Sequence, residues 1–403
     1  MKAKIGSVSI RAIGGCVLCV GWALASAAAQ QTLTWDQMKA KFEAANPTLK
    51  ADEANVQEMK AAEITAFLRP NPQFTLAADG TQIARRNGVW QPLAGTQYQP
   101  NVNYLHERQH KRELRLESAK EGTQIAGSQH EDLERNLIFN LRSVFIQTLQ
   151  AKAVLDLARA DLDYYDKIIE ISRVRFKDGA IGQIDLDRIE LLRVQYESEI
   201  QGAIVDLRTS KIQLLQLLDD RTPLDKFDVS GPFGFSDKLQ PLETFRQIAL
   251  DNRPDLRAAL ESVQQAVTNN KLAIANGSTD PTFGAWYTYS GSFNNPNSNQ
   301  TLGLNVSIPL RIFDCNQGEK QRSLIDIDRN KQLTAAARAQ VFSDVDSAYE
   351  QVQSNIALVK SIWTQSSIAY RKGATPFISH PRSLKCCTTS CFMQVSRFHM
   401  LAF

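Results

Sequence analysis

His106-Glu107-Arg108-Gln109-His110 carries the plainest chemical signature in the chain. On a helix, this H-E-x-x-H spacing sets two imidazoles one turn apart, where they can bind zinc while the glutamate serves as the general base of a peptidase. Glu131 or Glu134 could then complete the ligand set. A second cluster, Cys386, Cys387 and Cys391 with His380 or His399, also has metal-ligating types. It lies in a segment with no acidic residue, two prolines and no heptad spacing. The first cluster sits between a strand-like run and a very long helical run, with no second domain to shape a substrate cleft. What either cluster can do therefore depends on the elements that position it.

Those elements are set by a duplication. Pro47, Leu49, Ala51, Val56 and Gln57 recur at a constant offset as Pro254, Leu256, Ala258, Val263 and Gln264. A later landmark recurs too: Phe176-Lys177-Asp178-Gly179-Ala180 interrupts a long helical pattern, and Tyr370-Arg371-Lys372-Gly373-Ala374 does the same in the second copy. Each copy must be one supersecondary unit that buries its apolar face against its neighbours.

The chain has 403 residues, 43% of them hydrophobic, and a net charge of +3. Acidic and basic residues are interleaved along the helical runs, which reads as solvated faces and not as a nucleic-acid footprint. Residues 1–29 have the layout of a secretory signal peptide: Lys2, Lys4 and Arg11 flank the start of the apolar run Ala12 to Leu24, and Ala27-Ala28-Ala29 follows. The mature chain is expected to start near Gln30. The alternative is lipoprotein processing at Cys16, after Ile13-Gly14-Gly15. No other segment reaches the roughly 18 apolar residues of a spanning helix. Of six cysteines, Cys16 and Cys19 leave with the signal, Cys315 is isolated, and Cys386, Cys387 and Cys391 crowd the last stretch, so the body has no disulfide framework.

Thr34 and Gln37 have capping-box spacing, and a helix of about thirty residues is expected from there to Leu68. Arg69-Pro70-Asn71-Pro72 ends it, because proline lacks the amide donor. Phe74, Leu76 and Ala78 then alternate with polar residues, and Tyr98 to Leu105 is a weaker strand. From Lys111 to Ala180 apolar residues fall near 3.5-residue spacing without a breaker, a rod of roughly 90 Å for about sixty residues. A second long helix runs from Asp185 to Leu218. In the second copy Phe283, Ala285, Tyr287 and Tyr289 alternate, as do Leu302, Leu304, Val306 and Ile308. Runs near ten residues with period-two alternation and terminal aromatics suit tilted transmembrane strands. The chain supplies four such strands, whereas a closed barrel needs about eight even to hold side chains. Open edges are not tolerated in lipid. A trimer with twelve strands is the simplest closed solution.

These residues resemble the outer-membrane efflux protein family, the TolC-like exit ducts, and within it the heavy-metal efflux branch. Ile308-Pro309-Leu310-Arg311-Ile312-Phe313-Asp314-Cys315-Asn316-Gln317-Gly318-Glu319 is similar to the family's strand-to-helix signature, with Cys315 where arginine is usual. Glu107, Lys111 and Arg112 match the Glu-Thr-Gly-Gly-Lys-Arg motif of metal-efflux members, with Gln109 and His110 in place of its glycines. Phe176 to Arg188, with Gly179, Ile184, Asp185 and Asp187, resembles the tip of the periplasmic helical hairpin. The resemblance implies a mainly α fold with a small β part: long helical hairpins forming a periplasmic α-barrel, plus four strands per chain in a trimeric outer-membrane β-barrel. It further implies a passive duct and not an enzyme, without cofactor or resident metal, exporting metal cations or small toxic molecules. Its partners would be two further copies of the chain, a periplasmic adaptor, an inner-membrane pump and outer-membrane lipid. The tip residues Asp178, Gly179 and Ala180, with Gly373 and Ala374 in the second copy, would dock the adaptor. Asp185 would belong to an acidic ring at the tunnel entrance that favours cations; read from residue type alone, it would N-cap the second long helix.

The resulting organisation is 1–29 signal peptide, 30–225 first repeat, 226–374 second and incomplete repeat, and 375–403 an aberrant tail, expected to be disordered and to have the composition of out-of-frame translation. Family members continue past the second Gly-Ala with a returning helix. Its loss would bare the apolar stripe from Ala348 to Ile368, an aggregation liability. Two other readings of the chain are the zinc peptidase and a soluble periplasmic coiled-coil adaptor. Adaptors carry long hairpins but lack a duplicated strand pair.

Overall fold

The computed structural model describes residues 31–85, 87–93, 95–232, 237–290 and 299–371, with the backbone alone for Gln31 and for 365–371. The signal segment, Cys16, Gly373, Ala374, the 375–403 tail and its cysteine cluster lie outside the described residues. In chain order the elements are β1 (Gln31–Leu33), α1 (Trp35–Ala45), α2 (Pro47–Phe67), β2 (Gln73–Asp79), β3 (Gln97–Leu105), α3 (Lys111–Lys177), α4 (Gln183–Leu217) and β4 (Phe227–Val229). They continue with α5 (Leu242–Asn252), α6 (Pro254–Asn276), β5 (Thr282–Ser290), β6 (Gln300–Ser307) and α7 (Gln317–Arg371).

The single helix expected from Thr34 to Leu68 is two helices. Pro47 ends the α1 hydrogen-bond ladder and starts α2 at its first position, where its missing amide costs nothing. Asn46 makes the elbow, its side-chain oxygen accepting from the Leu49 amide at 3.0 Å. The second copy breaks in the same way at Arg253-Pro254. The Thr34 amide donates to Gln37 Oε1 at 3.1 Å, as the capping pattern predicts. One pairing is absent from the sequence reading: β1 and β4 form a short parallel ribbon, Gln31 to Phe227 through Leu33 to Val229. Three residues are too few for a period to register.

At 67 residues, α3 is a rod of roughly 100 Å. Its first half packs along α2 and α6, its second half along α4, and α6 in turn packs along α7. Two apolar knots pin these rods. The first joins Met38 and Phe42 of α1 to Leu141, Phe145, Ile146 and Leu149 of α3, Leu214 of α4 and its C-cap Leu218, and Val229 of β4. The second joins Phe245 and Ala249 of α5 to Leu256 of α6 and to Val341, Val345, Ala348 and Val352 of α7. Of the stripe expected to lie bare from Ala348 to Ile368, Ala348, Val352 and Val359 are buried, whereas Leu358 and Trp363 are more than half exposed.

The four strands make one antiparallel sheet in the order β2-β3-β5-β6, so the hairpins of the two copies lie side by side through β3 and β5. Both outer edges, β2 and β6, carry no further strand among the described residues.

Candidate functional site

The sheet's two faces have opposite chemistry. Register places Phe74, Val102, Ala285 and Leu304 across one row, and Tyr104, Phe283 and Val306 across the next. Leu76, Tyr98, Tyr289, Tyr287 and Leu302 continue this face toward the other end of the strands. It is apolar and uncovered: Leu304 is 82% exposed, Leu302 77% and Phe74 69%. Water would make such a band unfavourable at about 25 cal/mol per Å², whereas lipid does not. Aromatic side chains stand at both ends, Tyr98 and Tyr289 at one, Tyr104 and Phe283 at the other, the arrangement of interfacial girdles.

The opposite face is neutral and polar. It presents Gln73, Thr75, Gln99, Asn101, Asn103, Thr288, Thr301 and Asn305, with Asp79 as the charge at the far end of β2. A side chain on Gly284 would collide with the amides of Asn103 and Asn305, which converge over it, and the indole of Trp286 covers Gly303. Glycine is required at both positions for close approach. Such a face suits an aqueous passage that hydrogen-bonds to solutes without sorting them by charge.

At the far end of the rods, α3 stops in a Schellman motif. The Ala180 amide donates to Arg175 O at 2.8 Å and the Gly179 amide to Phe176 O at 3.0 Å, with Gly179 at φ +70°. Nothing lies near the position a Gly179 side chain would take, so backbone conformation alone demands the glycine within one subunit. Asp178 is the C-cap. Gly182, not Asp185, is the N-cap of α4; Asp185 lies exposed in the first turn, where its charge complements the helix dipole. Behind the turn the hairpin is zipped by Tyr165 Oη donating to Ile189 O at 2.9 Å, by the stacked rings of Tyr165 and Tyr196, and by Arg193 on Asp166 at 2.6 Å. The Arg193 guanidinium holds the Asp166 carboxyl below its ordinary range.

The H-E-x-x-H residues do not assemble as a zinc site. They fall in the turn between β3 and α3, with Gln109 at φ +59° and His110 at φ +55°, so the imidazoles are not one helical turn apart. Glu107 is held by both terminal nitrogens of Arg115, at 2.5 and 2.8 Å, and is no free base. Glu131 and Glu134 lie more than twenty residues further along α3, roughly 30 Å away. The turn is instead fixed by an ion pair the sequence did not disclose: Lys111, its side chain 4% exposed, donates to Asp280 at 2.6 Å, and Asp280 also accepts from the Arg108 amide at 2.9 Å. Burial pushes the Asp280 carboxyl up, but Lys111 and the Arg108 amide outweigh it, and the net shift is down. Lys111 was visible as a motif residue; its partner, across the duplication, was not. Cys315 sits exposed in the corresponding turn before α7, in no disulfide, its thiol donating to Arg311 O at 3.3 Å.

Two rod-forming helical hairpin halves on a sheet with one lipid-compatible face and one aqueous face define an outer-membrane channel subunit. Comparison with known proteins agrees. The chain aligns at 21% identity over 328 residues, 79% of its length and 72% of the relative's, with the cobalt-zinc-cadmium resistance protein CzcC of Cupriavidus metallidurans. Its fold is similar to the CmeC outer membrane channel of Campylobacter jejuni, with a TM-score of 0.68 and 14% identity over 91% of this chain and 85% of that one. It is also similar to the outer membrane protein VceC of Vibrio cholerae, with a TM-score of 0.67 and 14% identity over 91% and 94%. No protein-family model matches the sequence. The chain therefore shares the fold of these outer membrane channels and is a distant relative of CzcC.

Proposed function

We propose that the protein is one subunit of a threefold exit duct that carries metal cations passively across the periplasm and outer membrane, as the outermost part of a pump–adaptor–duct system. The observation that carries this is the four-stranded sheet with an uncovered apolar face, a neutral polar face and two open edges. Edges of that kind are satisfied in lipid only by further copies of the chain. Three copies give twelve strands. The metal assignment rests on the heavy-metal resistance relative and on Glu107, Lys111 and Arg112, which match the metal-efflux motif. In this reading Asp178, Gly179 and Ala180 meet the adaptor, joined by Gly373 and Ala374 of the second hairpin, and Asp185 contributes to an acidic ring that concentrates cations at the lower mouth. The rod length suits a span of the periplasm, and the open space around Gly179 leaves room for another helix tip.

A second reading, export of small organic molecules, is favoured by the nearly uncharged inner face of the strands. One experiment separates the two. A strain lacking its own metal-efflux duct, supplied with this gene and the matching pump and adaptor, should regain growth in cobalt, zinc or cadmium, with the protein recovered as a trimer from outer membranes. Restored tolerance to organic dyes with unchanged metal sensitivity would replace the metal reading, and recovery as a soluble periplasmic monomer would end the duct reading altogether.

A further inference from the structure

The H-E-x-x-H turn, which neither zinc chemistry nor the duct uses, borders a cavity of about 430 Å³. Its walls include Arg69, Tyr104, His106, Arg108 and Arg112. Strand parity fixes the side on which this cavity opens. Tyr104 pairs with Phe283 on the apolar face, and the His106 ring rests against the Phe283 ring at 6.4 Å, so the cavity continues the lipid-facing band at the end where strands give way to helices. The two carboxylates at its rim are already engaged, Glu107 by Arg115 and Glu113 by Arg112 at 2.7 Å. The guanidinium groups of Arg69 and Arg108 are exposed, and no acceptor for either is found among the described residues.

We infer that this cavity holds the phosphate of an anionic glycerophospholipid from the periplasmic leaflet of the outer membrane. The inference rests on the duct reading, which places the apolar band in that membrane. Two unpaired guanidiniums match the phosphodiester in charge and fork geometry. Tyr104 and Phe283 lie where the glycerol and upper acyl carbons would run, and cationic pockets at this depth are where anionic headgroups bind. Continuity with the lipid-facing band selects a lipid over a free anion. The basic turn then anchors the base of the barrel in one leaflet, which gives the motif's Arg108, His106 and neighbouring Arg69 a common role.

The test is native mass spectrometry of the full-length protein extracted from outer membranes and titrated with phosphatidylglycerol. The wild type should retain one phosphatidylglycerol per subunit, and R69Q/R108Q should bind it roughly thirty-fold more weakly, with assembly and outer-membrane recovery unchanged. The charge-conserving R69K/R108K should bind it within a fewfold of wild type. Equal retention by R69Q/R108Q would overturn the headgroup site, as would displacement of the lipid by millimolar inorganic phosphate, which would mark a free-anion site. Loss of assembly in R69Q/R108Q would make the cavity a contact between subunits instead. Were the wild type absent from the outer membrane, the duct reading would fail and this site with it. Unchanged lipid binding in a properly located variant removes the headgroup site alone.

Discussion

In the first repeat the elbow between α1 and α2 is Asn46, whose amide nitrogen donates to Leu217 O at the end of α4, 2.9 Å away. In the second the same position, by the offset that relates Pro47 to Pro254, is Arg253. Its side chain, 4% exposed, reaches Asp344 on α7 at 2.9 Å and Asp255 at 2.7 Å. One elbow is tied by a neutral amide to the helix that returns from the hairpin tip, the other by a charged fork to the helix that departs toward it. The cores differ in step. The same offset sets Met38 against Phe245 and Phe42 against Ala249, so the large side chain has moved one turn along the helix. Duplicated units therefore keep backbone breaks and burial sites while exchanging which residue fills them and which neighbour holds them.

The harshest way to break this comparison is to empty one knot. Phe42→Ala removes a fully buried ring and should cost about 3–5 kcal/mol in chemical denaturation of the solubilised protein. Adding Met38→Phe to it imports the second repeat's arrangement. If the two knots are interchangeable packings, the double variant should recover about 1–2 kcal/mol of that loss, a coupling that a double-mutant cycle reads directly. Additive losses would show that each knot is fitted to its own neighbours.

Next in size is the elbow itself. Arg253→Met leaves Asp344 and Asp255 without their shared cation; because those carboxylates are 26% and 31% exposed, about 2–3 kcal/mol is expected in place of the larger cost of a fully buried pair. Asn46→Ala forfeits a cap and one carbonyl partner and should cost about 1–2 kcal/mol. The two elbows should also part in acid. Burial raises the Asp255 carboxyl, but Arg253 and the Leu256 amide draw it down further, for a net depression. A carboxylate depressed in the folded state lends stability above its unfolded pKa, near 3.8, and loses it as pH falls through the folded value. Below about pH 4 the second elbow should lose its charged fork while the Asn46 bonds of the first persist, although α1 itself gives up its Lys41–Asp220 pair, whose carboxyl is likewise drawn down. Hydrogen exchange of the first turn of α6 against that of α2 would detect it, and equal loss of protection at about pH 3 would overturn the contrast.

How much of this could be read beforehand follows from the length scale of each signal. The long rods and alternating strands announce themselves over many residues, so α3, α4 and the outward row from Phe74 to Val306 were legible as elements and as faces. Pro47 was legible as a landmark of the repeat yet not as a break, because helical composition continues on both sides of it. The ribbon of β1 and β4 and the ion pairs Lys111–Asp280 and Arg253–Asp344 join residues far apart in sequence, and nothing local in either partner names the other. At the turn before α3, spacing suggested a zinc site, whereas left-handed backbone at Gln109 and His110 made it a bend.

A smaller effect is expected at the hairpin tip. Gly179→Ala meets no neighbour but must hold φ near +70°, so about 1–2 kcal/mol of local stability is at stake. The Schellman bonds of α3 depend on that conformation, and exchange protection should fall around Arg175 and Phe176 while both knots stay intact. Metal tolerance in the complementation strain should fall with it if the tip meets the adaptor. Full tolerance in a variant with a frayed tip would separate that turn from docking.

The smallest change sharpens the comparison at the two strand-to-helix turns. Before α7 the left-handed position is Asn316, a type that tolerates it, and its amide also donates to Ala273 O at 2.7 Å. Before α3 two consecutive residues are left-handed, and Gln109 has neither that tolerance nor a side-chain bond to the neighbouring helix among those found. Gln109→Gly relieves about 1–2 kcal/mol of backbone strain and gives back part of it as unfolded-chain entropy, so a net gain of about 0.5–1 kcal/mol should follow. It should appear as a higher denaturation midpoint at unchanged slope. The matched change Asn316→Gly loses the Ala273 bond and should be neutral or destabilising. If both glycines stabilise equally, the two turns are strained alike, and the difference drawn between them is wrong.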